Sequence, residues 1–290
     1  MNLQNKHILI IGAGTMGSGI AQTIACSNSS VCILDTSLDA INRSKSSIYK
    51  KVEKMYKKNL LSKTDYDSII TDRISWISNL NDINKLYNIS KVIEAATENE
   101  AVKIKLIQLV NKTFEDKDIF YASNTSSISI TRMASYFKNP EKFIGLHFMN
   151  PVPYMKLVEI IPGLQTSKDT IDIFQDFAKN LGKTPIQSLD QPGFITNRIL
   201  MPMINEAFYA LMENIGSAEN IDLSMKLGCG FPMGPLTLAD FIGLDTCLYI
   251  MQVLHKDIGE DKYRACPLLK QYVDAGWTGQ KSGRGVYTYK

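Results

Sequence analysis

The chain has 290 residues, 44% of them hydrophobic, and a formal net charge of +3 at pH 7. That length supports a large core and two domains, and so mild a charge argues against nucleic acid or another polyanion as partner. The five cysteines are odd in number and none lies in a CxxC or other metal-ligand spacing, so disulfides and a zinc site are not expected and a reducing, cytoplasmic setting is.

The first elements alternate. KHILIIG reads as a strand, TMGSGIAQTIACS as a helix and VCILD as a second strand, the order of a parallel sheet. The stretch from Ile8 to Leu34 has no charged residue, but its Gly, Ser, Thr, Asn and Gln are too polar for a membrane span or a signal peptide. Its glycines have another use. Gly12, Gly14 and Gly17 fall in G-x-G-x-x-G spacing directly after the strand and at the helix start, with Asp35 ending the next strand. In that context the first glycine allows a tight turn and the second lets the backbone approach a pyrophosphate. The third lets helix and strand pack closely. Thr15 and Met16 belong to the same loop, where the helix N-terminus favours an anion. Asp35 suits the ribose hydroxyls and repels a 2′-phosphate, and the first arginine after it is Arg43, so NAD is expected rather than NADP. The alternative reading of Asp35 is the start of a turn, with Thr36 and Ser37 as helix caps.

Ser37 to about Asn59 then reads as one long basic helix and LSKTDYDSIITDRI as its return partner, a helical pair inserted after the second strand. ISWIS, KVIEAA, IFYASN and KFIGLHF follow as strands, with a helix near Val102 to Phe114. MKLVEII, a helix from Thr170 to Leu181 and TPIQSL complete an α/β Rossmann-type, doubly wound domain over residues 1–189. After Asp190 the strand signals nearly vanish, so residues 190–290 are expected to form an all-α domain ending in a Gly-rich tail ordered by Trp277, Tyr287 and Tyr289.

His147 ends the apolar run FIGLHF, Glu159 lies inside KLVEII, and both are equidistant from Pro153 in the loop MNPVPYM. Folded back as an antiparallel pair, the two runs bring these side chains opposite each other. A carboxylate beside a histidine fixes its tautomer and supports the imidazolium, which suits proton transfer; a structural ion pair is the other reading. SNTSS (Ser123 to Ser127) and Thr196-Asn197-Arg198 are further polar clusters that read as site residues or as helix caps.

The strings GAGTMGSGIA, EAATENEAVK, SNTSSISI, GLHFMNPVPYMKLVEII, PGFITNRIL, KLGCGFPMGPLTLADFIGLD and KSGRGVYTY together make the chain resemble the L-3-hydroxyacyl-CoA dehydrogenase family, in its short bacterial form, over nearly its whole length. The resemblance implies a dehydrogenase that interconverts (S)-3-hydroxyacyl-CoA, with 3-hydroxybutyryl-CoA expected, and 3-oxoacyl-CoA using NAD(H). It implies His147 as general base, Glu159 as its orienting partner, and Ser126 and Asn197 as contacts to the reacting part of the substrate. For the cofactor it implies the Gly-rich loop, Asp35, Glu98, Lys103 and Asn150. For the CoA phosphates it suggests Lys54, Lys57 and Lys58 on the basic helix, with Lys51 standing where some relatives carry serine. It also reads the apolar excess of the helical domain as a homodimer interface. A dehydrogenase of free hydroxy acids and a non-catalytic NAD-binding protein are the competing readings.

Overall fold

The computed structural model describes residues 7–80, 83 and 88–289. The chain divides into two compact units, one running to Asp190 and the other starting at Gln191.

The first unit is built on an eight-stranded sheet. Its strands are β1 (His7–Ile11), β2 (Val31–Leu34), β3 (Ile74–Ile77), β4 (Ile89–Glu94), β5 (Phe120–Ser123), β6 (Phe143–Phe148), β7 (Leu157–Pro162) and β8 (Thr184–Gln187), in spatial order β3-β2-β1-β4-β5-β6-β7-β8. Strands β1 to β6 are parallel to one another. All residues of VCIL and of FIGLHF are buried, as strands covered on both faces require. The doubly wound pattern breaks at β7, which runs antiparallel to β6. The loop from Met149 to Lys156 is too short for the crossover of a dozen or more residues that a parallel return needs.

Helices α1 (Thr15–Cys26), α2 (Leu38–Lys57), α3 (Lys63–Ser68), α4 (Glu100–Thr113), α5 (Ile130–Ala134) and α6 (Lys168–Asn180) join these strands. Ser37, Ser62, Asn99, Ser129 and Ser167 accept a backbone N–H at the start of α2 to α6 in turn, which fixes where each helix begins. The inserted pair is α2 and α3; α2 buries Ile41, Ser44, Ile48 and Val52, one stripe at helical spacing, and turns its lysines outward. The uncharged stretch that superficially suits a signal peptide is β1, α1 and β2, packed inside the unit.

The second unit is helical: α7 (Thr196–Met212), α8 (Ala218–Cys229), α9 (Pro235–Ile242), α10 (Leu244–Ile258) and α11 (Pro267–Asp274). Ile204, Phe208, Leu236, Cys247 and Leu254 lie in its core. Two buried carboxylates order the Gly-rich tail. Asp222 accepts Leu236 N at 2.8 Å and Tyr287 OH at 2.9 Å, and Asp240 accepts Val286 N, Tyr287 N and Tyr289 OH, each at 2.9 Å. Among the described residues no single helix is long and apolar enough to cross a membrane.

Candidate active site

Strand order reverses between β1 and β4, and in such sheets the crevice lies outside the carboxyl ends at that switch point. The three glycines of the β1–α1 turn do different things there. Gly12 has φ +109°, and a Cβ on it would meet Ala95 O at 2.6 Å. A Cβ on Gly17 would lie 1.9 Å from Gly12 O, so only glycine allows the turn and helix to close up. A Cβ on Gly14 would meet nothing within 4 Å: it would project into the open space at the helix start. That helix start has no side-chain cap and no acidic residue in its first turn, leaving backbone N–H groups and positive potential for an anion. Asp35 sits at the end of β2, where its Oδ2 accepts Ala13 N at 2.8 Å and its Oδ1 accepts Ser37 N at 2.9 Å. The turn and the acid are thereby one rigid piece, and these residues fit a dinucleotide.

Across the switch point, β4 ends in Glu94, which is fully buried. Its carboxylate receives the Lys103 ammonium at 2.7 and 2.8 Å, Ser123 Oγ at 2.7 Å and Ala96 N at 2.7 Å. The same ammonium lies 3.6 Å from Glu98 Oε2. Glu98 Oε1 in turn accepts Thr125 Oγ1 at 2.6 Å, Ser126 N at 2.9 Å, Ser126 Oγ at 3.2 Å, Ser127 N at 3.1 Å and Ser127 Oγ at 2.9 Å. Burial pushes the Glu98 carboxyl up, but the Lys103 charge and these donors outweigh it and hold the group below its ordinary range. The loop SNTSS is therefore folded around a carboxylate, and Ser126 takes its place through Glu98. Lys103, for which the resemblance implies a cofactor contact, is 1% exposed and held between two glutamates.

The third group is at the far end of β6. His147 and Glu159 are direct partners in the antiparallel β6–β7 ladder, as expected, and His147 Nδ1 lies 2.7 Å from Glu159 Oε2. Both residues are buried. With the carboxylate accepting the Nδ1 proton, the neutral ring presents its acceptor at Nε2, so the pair can take up and return a proton. Asn124 Oδ1 accepts Phe148 N at 2.9 Å and so ties the end of β6 to the SNTSS loop.

Asn150, two residues further on, is exposed at the head of the loop to β7. Lys54, Lys57 and Lys58 are exposed at the end of α2, Lys57 paired with Glu53 at 2.6 Å. Asn197 is the second residue of α7 and is buried. Three supporting residues escape sequence reasoning: Glu94, Lys183, and Asp190, whose carboxylate accepts Ser129 Oγ and the N–H groups of Ile130 and Thr131. Glu94 alone carried a local signal, a charge closing an apolar strand run. Among the described residues no cluster of three or more His, Cys, Asp or Glu could hold a metal ion.

A glycine-cradled dinucleotide site with a buried histidine–carboxylate pair at the carboxyl edge of the same sheet defines an NAD-binding oxidoreductase. Comparison with known proteins gives the particular family. Residues 7–191 match the family model for the 3-hydroxyacyl-CoA dehydrogenase NAD binding domain, and residues 193–289 match that for its C-terminal domain. The chain is 49% identical over 280 residues to a probable 3-hydroxybutyryl-CoA dehydrogenase of Deinococcus radiodurans, covering 97% of this chain and 99% of that protein. It is 46% identical over 288 residues to a probable 3-hydroxybutyryl-CoA dehydrogenase of Bacillus subtilis, covering 99% of each. The crystal structure of (S)-3-hydroxybutyryl-CoA dehydrogenase PaaH1 from Ralstonia eutropha is similar at a TM-score of 0.92, with 44% identity and 99% of each chain covered. The chain belongs to the 3-hydroxyacyl-CoA dehydrogenase family.

Proposed function

We propose that this chain interconverts (S)-3-hydroxybutyryl-CoA and acetoacetyl-CoA, with His147 as general acid–base and Glu159 as its orienting partner. The observation that carries this reading is the 2.7 Å contact between His147 Nδ1 and Glu159 Oε2 at the carboxyl edge of a dinucleotide-binding sheet. The Gly12–Gly17 loop and Asp35 would hold NAD, with Glu98 and Asn150 as further contacts. Bound NAD supplies the hydride acceptor for C3 in oxidation and the donor in reduction. His147 Nε2 takes the proton of the 3-hydroxyl as the carbonyl forms, and Glu159 stabilises the imidazolium that results. In reduction the imidazolium returns the proton to the new alkoxide oxygen. Ser126 and Asn197 hydrogen-bond the reacting oxygens and orient them.

The exposed lysines at the end of α2 give the CoA phosphates a positively charged surface, so activity on the thioester should fall as salt rises. Outward apolar side chains of the helical unit, among them Ile199, Ile215 and Leu227, support a homodimer. The testing experiment is NADH consumption with acetoacetyl-CoA beside free acetoacetate, each repeated with NADPH. Rapid turnover of the thioester with NADH is expected. Turnover of the free acid alone would overturn the substrate assignment.

A further inference from the structure

Lys183 is a buried lysine that the reaction does not use. It follows α6 immediately before β8, and its ammonium donates to Val152 O at 2.5 Å and to Met155 O at 2.8 Å. Among the described residues no carboxylate lies within ion-pair distance of it. Burial, and then the neighbouring charge of Lys156, push its pKa below the usual lysine range. A buried charge that meets only carbonyl oxygens is costly, and chains keep such arrangements where they position something.

What it holds is the loop between His147 and Glu159. The segment after Asn150 makes a single helical turn, with Tyr154 N and Met155 N both bonded to Pro151 O at 3.0 and 3.1 Å. Val152 O and Met155 O belong to that turn, and Lys183 bridges them as a cationic cap. From the other side Gly19 of α1 packs against the turn so closely that a Cβ there would lie 3.0 Å from Val152 Cβ. α1 is the helix whose start forms the dinucleotide cradle. The turn is thus clamped between that helix and Lys183, and Asn150 stands exposed at its head.

We propose that Lys183 is a positioning residue for the cofactor: by capping the Pro151–Met155 turn it fixes the placement of Asn150 relative to the cradle on α1. The inference rests on the function proposed above insofar as Asn150 contacts NAD. It predicts an effect on NADH affinity rather than on the acyl-CoA side.

The test compares Lys183→Met and Lys183→Arg with the unaltered protein by NADH fluorescence titration without substrate, and by the KM for acetoacetyl-CoA at saturating NADH. The Met variant should bind NADH roughly tenfold more weakly, with the thioester KM within about twofold. The Arg variant, which keeps donors for both carbonyls, should recover most of the affinity. Unchanged NADH affinity in the Met variant would overturn the proposal, as would equal weakening towards both ligands. So would a Met variant that does not fold beside an Arg variant indistinguishable from the unaltered protein, because Lys183 would then support the fold alone. Failure of the substrate assignment would show separately, as an unaltered protein that binds NADH but does not turn over acetoacetyl-CoA.

Discussion

Glu159 Oε2 lies 2.7 Å from His147 Nδ1 because the two residues are register partners across β6 and β7, on one face of a sheet buried on both sides. Proton transfer by a positioned histidine contributes about two to four decades in rate. His147→Ala should therefore lose at least about a hundredfold in kcat while NADH binding persists. Glu159→Gln should lose less, because the ring remains but its imidazolium has no carboxylate to support it. Stopped-flow turnover and NADH titration on both variants check this; a His147→Ala enzyme of near-normal kcat contradicts it.

Gly14 and Gly17 should respond to the same substitution in opposite ways. Gly17→Ala puts a methyl group 1.9 Å from a backbone oxygen, so the turn must deform and Tm should fall. Gly14→Ala meets nothing within 4 Å and its backbone is extended, with φ −72° and ψ −170°, so the fold should be unaffected. Its methyl group would occupy the space for the pyrophosphate, so NADH binding should weaken with Tm unchanged. Thermal melts with and without NADH separate the two.

The Glu98 carboxylate makes stability depend on acid. Glu98 has its carboxyl held below the ordinary value of 4.5, so the folded chain binds this proton less readily than the unfolded chain. That stability is present above the ordinary value and is lost as pH falls through the lower folded one. Lys103→Met removes the cation from the buried Glu94 carboxylate and from its neighbour Glu98, and breaking a buried pair typically costs about 3–5 kcal/mol. Its Tm should be lower at pH 7, and the part of its decline on acidification that Glu98 contributes should be smaller, since the Lys103 charge no longer holds that carboxyl down. Melting curves from pH 3 to 8 measure both, and an unchanged Tm at pH 7 would contradict the arrangement.

The cysteines should differ in reactivity. Burial pushes the thiols of Cys26 and Cys32 up to about 11 and that of Cys247 up to about 12, whereas Cys229 is exposed. Thiolate is the reactive form, so a disulfide reagent at pH 8 should modify Cys229 rapidly and these three only on unfolding. Mass spectrometry before and after denaturation counts them.

The parts of this site written in local pattern were legible in the sequence. Gly12, Gly14 and Gly17 follow a strand directly, and His147 and Glu159 flank a proline-centred loop, so spacing alone predicts their geometry. The remaining parts depend on pairings between distant residues. Glu94 meets Ser123 across the sheet, Asp190 caps a helix some sixty positions earlier, and Lys183 reaches back to Val152. No periodicity announces a contact of that kind. Lys103 shows the same limit: the resemblance implies a cofactor contact, and the buried ion pair with Glu94 that holds it is not written in any spacing.

His147 and Glu159 are only 12 positions apart on one hairpin. They are inherited as a single piece of chain, and neither insertion nor deletion elsewhere need change the distance between them. The excursion of α2 and α3, by contrast, interrupts the sheet connections at a point remote in sequence from that hairpin. A lineage can therefore lengthen, shorten or recharge the excursion while the spacing of His147 and Glu159 passes on unaltered.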